Sequence, residues 1–165
     1  MFNIMKNAFN ISAFILISLL VYSCSEKSPE RIDIMQLYDC YKSQNYDSAK
    51  LAGKLTGTWK WSKYYAEIPG TKEADKNVLL NLTQEGEFTL TENSAVVTEG
   101  NWQLRVADID YSEPDSDKPD IYLFKLDLNN PSIYLYGRII LCEDKVLFNN
   151  SYIDGGDNLF IRSDH

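Results

Sequence analysis

The chain reads as a mainly β protein, an eight-stranded antiparallel up-and-down barrel preceded by one or two short helices. Three observations predict this. From Gly57 onward apolar residues recur with a period of two, the repeat of a half-buried strand. Most of the apolar stretches are separated by short runs of Asn, Gly, Asp, Ser and Pro, the residues of turns. No helix of crossover length lies between them, so neighbours pair antiparallel, and a meander of eight strands removes its edges by closing on itself.

Ahead of the strands, Ile34, Leu37, Tyr38 and Tyr41 fall at i, i+3, i+4 and i+7, one apolar helical face, and Pro29 suits the first turn of such a helix. Asp47 is placed to cap a second short helix carrying Leu51 and Leu55. Trp59, Trp61 and Tyr65 then alternate with polar residues in the first strand. Val78, Leu80 and Leu82 form the second. Gln84-Glu85-Gly86 turns into the third, with Phe88 and Leu90 on one face, and Glu92-Asn93-Ser94 turns into the fourth, Ala95 to Val106, with Trp102, Leu104 and Val106 together. Tyr122, Phe124, Leu126 and Leu128 share a face of the fifth. Asn129-Asn130-Pro131-Ser132 turns into the sixth, Ile133 to Leu141, which is apolar on both faces and reads as a strand covered on both sides. Lys145 to Phe148 is the seventh. Asp154-Gly155-Gly156-Asp157 offers the positive-φ residues of a tight hairpin, and Leu159 to Arg162 is the last strand.

The N-terminus carries an address. One charge, Lys6, precedes Ala8–Tyr22, which has no charged residue and is shorter than the roughly 18 to 20 residues a bilayer-spanning helix needs. A basic start, a short apolar core and small residues at a cut describe a secretory signal. Val21-Tyr22-Ser23-Cys24 is similar to a bacterial lipobox. That resemblance implies cleavage before Cys24, diacylglycerol on its sulfur and acylation (palmitate) of the new amine, and two or three chains anchor stably. Ser25 stands where an inner-membrane retention Asp would sit, which favours the outer membrane, on its periplasmic or its cell-surface face. Residues 1–23 are therefore expected to be a lipoprotein signal peptide, 24–30 a polar tether, and 31–165 one barrel domain with its helical segment.

The full chain has a formal charge of −8, and removing residues 1–23 takes away Lys6 and no acid, leaving 15 basic against 24 acidic residues. So acidic a surface argues against binding nucleic acid or an anionic membrane directly; the membrane is expected as a partner through the N-terminal lipid. Cys40 and Cys142 remain, in a compartment that permits disulfides. A bridge would staple the N-terminal segment to the sheet; the alternative is two buried thiols that never meet.

Gly57-Thr58-Trp59 opens the first strand after a short helix, and Arg162 sits in the last one. This resembles the lipocalin signature, in which a Gly-x-Trp opens the barrel and a late Arg packs over that Trp at the closed end. Leu55 to Trp61, Phe88 to Leu104 and the Asp-Gly-Gly-Asp ending together resemble the uncharacterised lipocalin-like lipoproteins of Bacteroidota, over roughly residues 50 to 163. The family implies a fold and a location in the cell envelope. It implies Trp59 and Arg162 as the pair that closes the barrel, a contact worth roughly 0.5 to 2 kcal/mol.

Catalytic groups do not assemble. The single His165 is the last residue, no Cys/His spacing suits a metal, and no glycine loop cradles phosphate. The expectation is a protein that is not an enzyme and needs no cofactor. Residues 107–120 are rich in Asp and Glu, but without EF-hand spacing they read as a solvated loop. If strand parity holds, Trp61, Lys63, Tyr65, Trp102, Tyr122 and Phe124 face the barrel interior as candidates to line a small hydrophobic or amphipathic ligand. So bulky a list also suits an interior filled with side chains. The expectation is thus a lipid-anchored envelope protein that binds such a ligand. The alternative is a filled barrel that presents its loops to an envelope protein or glycan.

Overall fold

The computed structural model describes residues 31–68, 70–110, 121–153 and 155–163. The leader, Cys24, the tether, most of the acidic loop and His165 lie outside the described residues. Among the described residues no helix is long and apolar enough to cross a membrane.

Among the described residues two helices come first, α1 (Ile34–Gln44) and α2 (Ser48–Leu55). Asp47 caps α2 as its position suggests, accepting from the Lys50 N–H at 2.7 Å. Asp33 does the same for α1 through Gln36 at 2.9 Å. Nine strands follow: β1 (Gly57–Ala66), β2 (Gly70–Glu73), β3 (Val78–Leu82), β4 (Glu87–Glu92), β5 (Ala95–Asp110), β6 (Ile121–Leu128), β7 (Arg138–Cys142), β8 (Lys145–Asn149) and β9 (Asp157–Arg162). From β3 to β9 each strand pairs antiparallel with the next. β9 returns to β1, from Trp59↔Arg162 to Tyr65↔Asp157, and closes the sheet. β1 pairs with β3 over Gly57–Lys60 and with β2 over Lys63–Ala66. β2 and β3 therefore share one position in the wall, and the barrel is eight-stranded and antiparallel.

Three boundaries differ from the sequence reading. β2 is an extra strand, which the polar run Thr71-Lys72-Glu73 concealed because only half its surface is covered. β5 runs four residues past Val106. Ile133 to Gly137 is not strand: Leu135 donates to the Ser132 carbonyl at 3.1 Å in a turn, and Gly137 takes φ +104° before β7 begins. The rest of that segment is covered on both faces as expected, with Ile139, Ile140 and Leu141 all buried.

Cross-strand register places Trp59, Leu80, Leu82, Phe88, Leu90, Ile139, Val146, Phe148 and Phe160 on the inner face, where each is at most 1% exposed. The lower barrel is thus filled with side chains, and Phe148 meets Phe160 edge-on at 5.7 Å. α1 packs on β7 outside the wall, covering it where the sheet would otherwise face water. Tyr41 of α1 donates to the Tyr122 carbonyl at 2.8 Å, and Cys40 of α1 is bridged to Cys142 of β7.

One end is sealed. Trp59 is fully buried, and its Nε1–H donates to the Leu55 carbonyl at 2.7 Å, which holds the last turn of α2 across the opening. The Arg162 guanidinium lies 4.1 Å from the centre of the Trp59 ring system. It also donates to the carbonyls of Thr56 and Lys54. Gly57 precedes the tryptophan because a Cβ there would strike Arg162 Nη1 and because φ is +128°. With a cation–π contact and two carbonyl bonds at stake, Arg162→Ala is expected to lower unfolding free energy by about 2 kcal/mol in urea titrations. Arg162→Lys should recover only part of it, since an ammonium cannot serve ring and both carbonyls together.

Candidate functional site

The other end of the barrel is open, and a bulge in β1 decides what faces it. Trp61 pairs with Phe160 but Lys63 pairs with Leu159, so Ser62 is an extra residue. Parity flips there. Tyr64, paired with Asn158, now faces inward, and Lys63 and Tyr65 go to the outer face with Leu159 and Asp157. Lys63 meets Glu73 at 3.6 Å, and Arg31 lies over the Tyr65 ring at 5.8 Å. Both candidates thus leave the interior. Tyr64, which simple alternation assigns outward, replaces them.

A cleft of about 620 Å³ occupies this mouth. Its aromatic walls are Trp61 and Tyr64 of β1 with Tyr134 and Tyr136 of the β6–β7 connection. Lys72, Asp75 and Lys76 from β2 and the β2–β3 connection, with Asn150 and Asn158, supply the polar groups. A groove of similar volume runs beside it where β2 and β3 part; Trp61, Glu73, Asp75 and Lys76 border both, but Trp61 is the groove's one aromatic.

Tyr134 reaches across the mouth. Its ring meets Trp61 edge-on at 5.1 Å, and its hydroxyl donates to Glu92 at 3.0 Å. Lys76 holds the other Glu92 oxygen at 2.8 Å. The Lys76 hydrogen bond, then that from Tyr134, hold the Glu92 carboxyl below its ordinary range. Burial, then the bond to Glu92, push the Tyr134 hydroxyl up. The arrangement is neutral tyrosine on an ionised carboxylate. Trp61 is 8% exposed, and its Nε1–H is buried with no acceptor among the described residues. A buried donor left unmade is costly.

The remaining candidates are not brought to the cleft. Trp102 pairs with Leu128 on the inner face and is buried; its Nε1–H also lacks an acceptor among the described residues, and it borders a separate depression between β5 and β6. Phe124 is buried in the core between Val106 and Ile139. Tyr122 lies at the sealed end, two-fifths exposed, in ring contact with Phe124. Among the described residues no group of three or more His, Cys, Asp or Glu is placed to hold a metal.

Sequence reading missed what holds the mouth in shape. Asp157 is fully buried, and its carboxylate accepts from the Asn150 and Ser151 N–H groups, both at 2.7 Å, from Asn149 at 3.1 Å and from the Ser151 hydroxyl at 2.9 Å. It gathers the β8–β9 connection into a compact loop, where the Asp-Gly-Gly-Asp run suggested a tight hairpin. Gly156 serves closeness, not a left-handed φ: any Cβ there would collide with the Tyr64 ring. No protein-family model, curated protein or solved structure matches the chain. Asp157→Ala removes the acceptor of four hydrogen bonds, of whose donors only Asn149 Nδ2 keeps another partner, the Ser151 hydroxyl, and is expected to destabilise the domain by about 3 kcal/mol. In amide exchange, Asn150 and Ser151 should lose protection while β3 and β4 keep theirs.

Proposed function

We propose that this protein is a lipid-anchored, lipocalin-like component of a bacterial cell envelope that holds one small amphipathic molecule in the mouth of its barrel. Cys24 carries the lipid, and the ligand is bound, not transformed. The single observation that carries the binding reading is the cleft itself. Its volume falls in the range of small-molecule sites, roughly 300 to 1,000 Å³. Four aromatic rings line it, and Lys72, Glu73, Asp75, Lys76, Asn150 and Asn158 supply polar groups beside them. Because the lower barrel is filled, the ligand lies across the rim and not deep inside, which suits a molecule with one apolar and one polar end.

Two measurements test this. Mass spectrometry of the purified N-terminus is expected to find Cys24 acylated and first in the chain; an unmodified Cys24 or an intact Met1 ends the anchoring claim. Native mass spectrometry of protein from its own host is expected to find a retained small molecule. Tyr136→Ala removes a half-exposed ring from the cleft wall. It should weaken retention about tenfold, the worth of one aromatic contact, with little change in unfolding midpoint. Protein that retains nothing, and whose Trp61 emission ignores a titrated single-chain amphiphile such as lysophosphatidylcholine, refutes the ligand claim.

A further inference from the structure

The topology brings the β1–β2 turn, the β4–β5 hairpin and the β6–β7 and β8–β9 connections to one end of the barrel, the open one. Every one of these carries a large apolar side chain in water. Ile68 is 88% exposed, Ile133 75%, Ile153 62%, Val96 57%, Val97 51% and Tyr136 49%. Scattered apolar residues on a surface need no explanation, but a ring of them on one rim does. Among the described residues, the β7–β8 turn at the sealed end is Glu143-Asp144, and the large apolar side chains exposed away from the mouth are Met35, Val106 and Tyr122, none of them on a connection between strands.

The chain also enters at the open end. Arg31 lies over Tyr65, whose strand partner Asp157 opens β9 at the mouth. From there α1 runs toward the sealed end, where Cys40 is bridged to Cys142. Six residues lie between Cys24 and Arg31, seven steps of chain with a reach of at most about 25 Å even fully extended. That is about the height of the barrel, since the ten residues of β1 extend for roughly 30 Å along a strand tilted by roughly 35 to 45° to the axis. With any slack in the tether, an anchor at Cys24 therefore brings the open end nearer the bilayer than the sealed end.

We infer that the apolar crown around the mouth docks on the lipid surface to which the chain is anchored, so that the cleft opens directly onto the bilayer. The occupant is the interfacial layer of a phospholipid membrane, into which rim side chains of this kind sink by roughly 5 to 10 Å. An amphipathic ligand then passes between cleft and membrane without crossing water. The inference rests on the proposed anchoring of Cys24.

The test uses the mature, full-length protein in phosphatidylcholine vesicles, with and without brominated phosphatidylcholine as a depth-dependent quencher. Ile133→Trp places a reporter on the crown, and Lys145→Trp places one at the opposite end; both positions are exposed, and emission is compared with the parent protein. The emission added by Ile133→Trp should shift to the blue on vesicles and lose most of its intensity to the brominated lipid, while that of Lys145→Trp does neither. An unquenched Ile133→Trp on protein whose N-terminus is shown to be acylated overturns the docking and leaves the anchoring intact. A crown reporter that is blue-shifted in solution before any vesicle is added identifies a second copy or a protein partner as the occupant, and also overturns it. Protein with an unmodified Cys24 that stays off the vesicles defeats the anchoring reading, and the docking inference with it.

Discussion

The contact between Arg162 and Trp59 does more than seal one end. It joins the first residues of β1 to the last of β9, so it forms only when the sheet has closed. The indole is fully buried and its N–H is used by Leu55, which fixes where the preceding helix must stop. Once Trp59 points inward, pleating assigns the faces of its neighbours: Leu80 beside it, Leu90 beyond, and Phe160 one step along β9. A one-residue slip at this point would send that whole set into water.

Opposite this closure lies the weakest seam in the wall. β6 and β7 share a single paired position, Phe124↔Ile139. Other interactions do the work of the missing ladder. α1 lies over β7, Cys40–Cys142 ties it there, and Arg138 reaches past β6 to Asp108 of β5 at 2.6 Å. The bridge spans 102 residues, so on the chain-entropy account, which is disputed, it limits the unfolded chain by roughly 4 to 5 kcal/mol. A bridge at this seam holds the part of the barrel that backbone hydrogen bonds hold least. It also explains the apolar character of β7, whose outer face is covered by a helix and not by water.

Much of the fold was legible because most strands obey one rule each. β3 and β4 show buried residues at every second position, as their sequences suggest. Asn93 and Ser94 both take positive φ in the turn between β4 and β5, and Gly86 does so in the turn before β4. The site was less legible, and for a local reason. A single extra residue at Ser62 is invisible to periodicity, yet it exchanges Lys63 and Tyr65 for Tyr64 at the cleft. Tyr134 and Tyr136 were hidden in an apolar run that looks like strand until Gly137 breaks it. Asp157 looked like a turn residue because only the folded loop brings Asn149, Asn150 and Ser151 around its carboxylate.

Several departures from local rules lie at the mouth: the bulge at Ser62, the exposed Ile and Val side chains and the Lys76–Glu92–Tyr134 chain. Others, the bulge between Val106 and Asp108, the unpartnered Trp102 N–H and the exposed Tyr122, lie away from it. The sealed end satisfies its groups with helix carbonyls and a cation over an indole. Stability alone would favour the same treatment at both ends, since each unsatisfied donor or exposed side chain costs free energy that packing elsewhere must offset. The open cleft and the exposed rim are the features that the proposed ligand and the proposed membrane contact would use.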